Sequence, residues 1–370
     1  MNSQIYLDDP DLGEIEKQFL CKTIDSGYVS TFGPFVSEFE KQFSELINID
    51  NVASIQSGTA GLYMALYELG IKPGDEIIIP VLTFVACANV VKYLGAVPVF
   101  VDIDSKTWTI SIPEIKKHIT QKTKAIMPVH LYGNPCDMNK INKLARDKKL
   151  FVIEDATESL LSMYNNQYAG TLGDFGVFSF NGNKLITTGG GGIVVCKDEK
   201  KISHIKFLIN QARDEQKGYY HPEVGFNLRM TNLVASLGLA QLQRINTFQK
   251  QKKCFREIYA DAFNEIDEIS LQESLPGSEP TWWLNAISIN RKGFNVDHFQ
   301  DELKLSGIPT RRLFMPIVEF PPYYEKGNEK YKVAYEKYNN SIILPGSTLN
   351  TKESINYAVS IIKKLLGKRL

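Results

Sequence analysis

The feature that most narrows the fold is an alternation over residues 52–155. Short apolar runs at Val52–Gln56, Glu76–Pro80, Val97–Val101, Ala125–Val129 and Leu150–Ile153 are separated by segments of helical pattern, among them Thr83–Tyr93, Ile112–His118 and Met138–Lys148. Strands apolar on both faces need cover on both sides, and parallel strands need a connection long enough to hold a helix. The pattern therefore predicts an α/β fold with a largely parallel sheet between helices. Phe175–Phe180 and Ile193–Cys196 add two strands, and residues 229–265 read as one long helical stretch. Beyond Leu271 the elements alternate less regularly, at Trp283–Ile289, Val296–Ser306, Ser341–Pro345 and Lys352–Leu366. That predicts a large domain over 1–245, including the N-terminal segment, and a smaller α+β domain over 246–370. Tyr323–Tyr338, rich in Tyr, Lys and Glu, reads as a surface excursion.

Composition removes several classes of function. Lys+Arg and Asp+Glu number 42 each, so no basic field exists to attract nucleic acid or an anionic membrane. An anionic ligand must be held by local groups. The cysteines, Cys21, Cys87, Cys136, Cys196 and Cys254, are odd in number and widely spaced, which argues against a disulfide framework and a zinc site. Met1–Tyr6 has neither the basic nor the apolar region of a secretion signal, and no apolar run approaches membrane-span length. A cytoplasmic protein is expected.

Four features fall at strand ends, where open α/β sheets bind ligands. Ser57-Gly58-Thr59 follows a strand and opens a helix, whose free N–H groups suit a phosphate; an ordinary N-cap is the other reading. Glu154-Asp155-Ala156-Thr157-Glu158 supplies a carboxylate for a protonated ring nitrogen, or simply caps a helix. Phe84, just past a strand, offers a face to a flat heterocycle, or else fills the core. Ser179 and Lys184 lie between Phe178-Ser179-Phe180 and the run Gly189–Gly192. A lysine withdrawn from bulk water sheds its proton more readily and becomes an amine nucleophile; a solvated loop lysine is the bland alternative. Together these form a phosphate cup, an acid for a ring nitrogen, an aromatic face and an amine: the parts of a pyridoxal 5'-phosphate site. His130 ends a strand and could face a substrate or serve structure alone. Its neighbours carry no metal-ligand spacing.

In order and spacing the chain resembles the DegT/StrS family of sugar aminotransferases, which have the fold-type-I, aspartate-aminotransferase-like architecture. The resemblance runs from Gly27-Tyr28-Val29 and Gly33-Pro34 through Gln56-Ser57-Gly58-Thr59-Ala60, Pro128–Gly133, Glu154-Asp155-Ala156 and Phe226–Met230 to Leu344-Pro345-Gly346-Ser347. It implies that Lys184 forms the Schiff base and moves protons, that Asp155 holds the pyridine nitrogen, and that Phe84 lies on the ring. It implies phosphate contacts from Ser57, Gly58, Thr59 and Ser179, and from Asn227 of a neighbouring subunit, hence a homodimer with shared sites. Arg229, Arg311 and Arg312 become candidates for a carboxylate or a sugar diphosphate, because the guanidinium fork binds oxyanions bidentately.

Two positions depart from the family pattern. Glu158 stands where Gln or His commonly donates to the cofactor's phenolic oxygen, and Gly190 where Glu is common. A subset that aminates C4 of keto-sugars, in bacillosamine and legionaminic acid routes, is similar in both respects. The resemblance thus implies transamination from L-glutamate to a nucleotide-linked 4-keto-6-deoxy-sugar, UDP-linked and possibly 2-acetamido, for surface glycans or nonulosonic acids. The alternatives are a 3-keto-sugar, a GDP- or dTDP-linked sugar, or a regulatory relative without turnover. The dehydratase branch, with His for the lysine, is disfavoured by Lys184. A dinucleotide-binding dehydrogenase is disfavoured because no Gly-x-Gly-x-x-Gly follows the first strand.

Overall fold

The computed structural model describes residues 4–367. Met1–Ser3, part of the segment read for a leader, and residues 368–370 of the expected C-terminal domain lie outside them.

The sheet strands are β1 (Val52–Ile55), β2 (Glu76–Pro80), β3 (Val97–Val101), β4 (Thr123–Ile126) and β5 (Phe151–Asp155). After a small ribbon of β6 (Met163–Tyr164) and β7 (Gln167–Tyr168) come β8 (Phe175–Ser179) and β9 (Gly192–Val195). Seven of them form one sheet in the order β1-β9-β8-β5-β4-β2-β3. Only β9 runs antiparallel to its neighbours. The helices of this part are α1 (Glu14–Asp25), α2 (Pro34–Ile47), α3 (Gly58–Glu68), α4 (Ala86–Tyr93), α5 (Ile112–His118), α6 (Met138–Lys148), α7 (Glu199–Ile209) and α8 (Asn232–Leu242).

Alternation within each strand explains the two covers. Ile77, Ile79, Ile153 and Val177 share one core with Leu62 of α3, Val90 of α4 and Ile205 of α7. The residues between them point the other way. Ile78, Ile126 and Val152 pack with Ile115 of α5 and Ile141 of α6, and Phe178 and Ile193 pack with Phe39 and Phe43 of α2 and Leu239 of α8. Burial on both faces is what the continuous apolar runs required.

The chain continues through α9 (Ile245–Phe263), β10 (Ile269–Leu271), β11 (Ser278–Glu279), β12 (Asn285–Ile289), α10 (Val296–Leu305), β13 (Arg311–Arg312), α11 (Lys332–Asn340), β14 (Ser341–Leu344) and α12 (Lys352–Gly367). An antiparallel sheet, β10-β12-β14-β13, carries α9, α10 and α12 over a separate core of Phe255, Phe263, Phe299, Ile287, Ile342 and Ile362. Phe248 of α9 belongs to the first body and Phe255 to the second. We propose the start of α9 as the domain boundary, with that helix shared.

Two expectations need correction. The stretch 229–265 is two helices, not one: Arg244 has φ −106° and ψ −5°, and its guanidinium reaches Asp11 at 2.6 Å and Glu16 at 3.2 Å. The break follows a tertiary partner rather than a Gly or Pro. Nor is Tyr323–Tyr338 a surface excursion. Tyr323, Tyr331 and Ala334 are buried in the first core. The Asp102 carboxylate accepts from the Val333 and Ala334 amides at the start of α11, both at 2.9 Å.

The N-terminal segment before α1 is a strap. Leu7 O accepts from the Gly346 and Ser347 amides at 2.7 and 2.9 Å, and Tyr6 exchanges two bonds with Asn350. Beside it Lys252 is 4% exposed and donates to Gly346 O at 2.6 Å and Trp283 O at 2.9 Å. Burial lowers its pKa from 10.5 to about 8. The unfolded chain then binds the extra proton between those values, so stability rises with pH through that window and the contribution is lost as pH falls through 8. Lys252→Met should lack this slope, whose full span is worth roughly 3 kcal/mol. Urea midpoints in steps from pH 7.5 to 10.5 check it; parallel curves for parent and variant would refute the burial argument.

Candidate active site

The carboxyl ends of β1, β2, β5 and β8 open into one cleft of about 600 Å³. Ser57, Gly58, Thr59, Phe84, Asp155, Glu158, Ser179, Lys184, Arg311 and Arg312 all line it. The fold thus brings together ten residues that lie far apart in sequence.

At one end, Ser57 caps α3, its Oγ accepting from the Ala60 amide at 3.1 Å. The amides of Gly58 and Thr59 open the helix and have no acceptor within it. The approach is tight. A Cβ on Gly58 would lie 2.9 Å from Thr157 Cγ2 and 3.0 Å from Ser179 Cβ; one on Gly192 would lie 2.7 Å from Phe178 O and 2.8 Å from the Ser57 carbonyl carbon. Glycine leaves a cradle of amides and hydroxyls at a helix N-terminus, fitted to a phosphate.

Asp155 ends β5 and is 4% exposed. Its Oδ1 accepts from the Thr157 amide at 3.0 Å and its Oδ2 from the Cys87 thiol at 2.9 Å. Burial, then the Asp155 carboxylate, push the Cys87 thiol well up, so Cys87 stays a donor and holds the aspartate's angle. Phe84 lies in the loop before α4, since the helix starts at Ala86 and not at Thr83. It is 55% exposed and meets Phe314 at 5.9 Å between centroids. A large aromatic left open in a cleft is free to stack on a ligand.

Lys184 Nζ lies 3.7 Å from Glu158 Oε1. The other oxygen of Glu158 accepts from the Tyr132 amide at 2.8 Å. Burial raises the pKa of Glu158, opposed by Lys184 and the Tyr132 N–H and reinforced by Asp155. The donor set fits pyridoxal phosphate: a phosphate cradle, a buried carboxylate, a stacking face and an amine in one cleft. The orientation of Glu158 bears on its departure from Gln or His. Its carboxyl points at the lysine, into the cleft, and Glu158→Gln keeps an acceptor for Tyr132 while adding a donor. That variant should bind pyridoxal phosphate within about threefold of the parent, read by absorbance titration; loss of binding would show that the acid itself is required.

Three candidates are not in the cleft. His130 is fully buried behind its wall, with Nε2 2.9 Å from Glu154 Oε2, while Nδ1 accepts from the Cys136 amide at 3.0 Å. That amide leaves Nδ1 without a proton and assigns it to Nε2. Both nitrogens are engaged, so the substrate contact is withdrawn in favour of the structural reading. Asn227 bridges to Asn210, and Arg229 lies in a neighbouring depression with Phe32 and Lys206. Asn227 lies outside the lining of its own chain's cleft. The arginines of β13 do reach the cleft, but engaged: Arg311 meets Asp8 Oδ2 at 3.0 Å, and Arg312 pairs with Asp297 and donates to Tyr338 O at 2.6 Å. Asp8 and Trp283, both beside the lysine segment, carried no local signal in the sequence.

A profile of the DegT/DnrJ/EryC1/StrS aminotransferase family matches residues 10–363. The chain belongs to this family. It is an aminotransferase of fold type I, and its cofactor is pyridoxal phosphate. GDP-perosamine synthase of Escherichia coli O157:H7 is 38% identical over 97% of this chain and 98% of its own; that of Caulobacter vibrioides is 34% identical over 96% and 97%. Among solved structures, the PLP form of Spr1654 from Streptococcus pneumoniae superposes with a TM-score of 0.93 at 27% identity, covering 100% of both chains. Family members are thus similar along their whole length. No helix among the described residues is long and apolar enough to cross a membrane, and no cluster of His, Cys, Asp and Glu there could hold a metal.

Proposed function

We propose that this protein transfers the amino group of L-glutamate to the ketone of a nucleotide-linked 4-keto-6-deoxy-sugar. The observation that carries the reading is the meeting of Lys184, Asp155 and the Ser57–Thr59 cradle in one cleft. Bound there, pyridoxal phosphate supplies an aldehyde and an electron-withdrawing ring. Gly58, Thr59, Ser57 and Ser179 hold the phosphate, joined by Asn227 of a second copy in a homodimer. Asp155 would hold the ring nitrogen, and Phe84 would lie against the ring. Lys184 Nζ would serve as the nucleophile and, as a free amine, as the general base that moves the proton of the donor's Cα. Arg311 and Arg312 line the same cleft and offer planar forks to the donor carboxylate or the sugar diphosphate.

The nucleotide has two supported readings. The identity shared with two GDP-perosamine synthases favours GDP, which the family resemblance placed second. The resemblance of Glu158 and Gly190 to the C4-aminating subset favours UDP. Incubating protein, pyridoxal phosphate and L-glutamate with UDP-, GDP- and dTDP-linked 3- and 4-keto-sugars, with products read by mass, decides between them. An amine on a 4-keto member supports the reading; an amine on 3-keto members alone, or on none, would overturn it.

A further inference from the structure

We infer that Trp283 is the platform on which Lys184 rests whenever its amine is not bonded to the cofactor. The inference deepens the role proposed for Lys184 and rests on it. Trp283 is 2% exposed and lines the cleft. Lys184 Nζ stands 4.0 Å from the centroid of the Trp283 ring, with Glu158 Oε1 at 3.7 Å. An ammonium over an indole face is held by the ring quadrupole, most strongly where water is excluded. The same indole grips the lysine's own segment, its Nε1 donating to Asn183 O at 2.7 Å. Asn183 is fixed again by donating to Asp8 Oδ2 at 2.6 Å, and the Trp283 carbonyl is fixed by Lys252 at 2.9 Å. Lys184 is thus held by backbone and by side chain from one rigid group.

Such a platform matters because this lysine must leave its bond and return to it in each cycle. Between those events its amine needs a place close to the reacting carbon yet out of the sugar's path. The Trp283 face, shared with Glu158, provides one. Trp283 is a positioning residue: it acts through Lys184.

The test reads the parked amine directly in cofactor-free protein. Brief acetylation followed by peptide mass analysis gives the rate at Lys184 relative to the surface lysines, with buried Lys252 as internal control. Trp283→Leu should raise the Lys184 rate about tenfold, the factor for losing roughly 1.4 kcal/mol of ring–cation attraction. Trp283→Phe, which keeps a ring face, should restore it to within about threefold of the parent. An unchanged rate in Trp283→Leu would overturn the inference, as would an equal rise at Lys252, which would mean the wall has merely opened. If Trp283→Leu does not fold, Trp283→Met, whose flexible side chain fills an irregular gap better, replaces it. Failure of the underlying reading looks different: Lys184→Ala would still form a borohydride-reducible adduct at the site.

Discussion

Lys184→Ala is expected to show no Schiff-base absorbance band on adding pyridoxal phosphate and, after borohydride, to carry no pyridoxyl group in the peptide spanning residues 178–192. The parent should be yellow and carry the label there. Turnover should fall on the order of 10⁴-fold or more, as removal of a covalent nucleophile does elsewhere. The size follows from the site. Among the described residues lining the cleft, Lys184 is the only lysine, and Lys252 spends its donors on two carbonyls. No second amine stands ready to replace it. The cradle at Gly58 and Thr59 is untouched, so the variant should still bind pyridoxal phosphate noncovalently. Equilibrium dialysis separates that binding from the lost bond. A label retained at this peptide would end the assignment.

Asp155→Asn separates charge from shape. The amide is nearly isosteric and can still accept from Thr157, so the β5 end should hold its form. What disappears is the negative charge that would keep a ring nitrogen protonated. Loss of one preorganised electrostatic partner costs on the order of 10²–10³-fold in kcat, and that is the expected fall, with cofactor affinity changed much less because the phosphate cradle dominates it. Steady-state kinetics beside absorbance titration would show the split. Activity within threefold of the parent would mean that Asp155 does not serve the ring nitrogen.

Much of this is legible in the amino-acid sequence. Strands such as Glu76–Pro80 and Phe175–Ser179 announce themselves because burial on both faces demands unbroken apolar runs. Ser57–Thr59, Asp155 and Ser179 were legible because they sit at a strand end or a helix start, where sequence position implies position in space. What escaped detection depended on distant partners. Arg244 breaks a helical pattern because Asp11 and Glu16 lie beside it. The helix at Lys332–Asn340, buried along one side, gives no clue that Asp102 receives its first turn. His130 sits at a strand end like the true cleft residues, and only Glu154 and the Cys136 amide show that it faces inward. Trp283 reads as an ordinary core aromatic until Lys184 is placed above it.

The N-terminal strap sets a timetable for assembly. Tyr6 finds its partner 344 positions downstream, and Asp8 holds both Asn183 and Arg311. Contacts between such remote positions form late, because the intervening chain must first be ordered. On the ribosome the strap emerges before its partners at Gly346, Ser347 and Asn350 and must wait for them before it can close beside the lysine segment. The first body can therefore be complete while Lys184 is still unfastened, and extra residues fused ahead of Tyr6 would be felt at that amine before they were felt in the core.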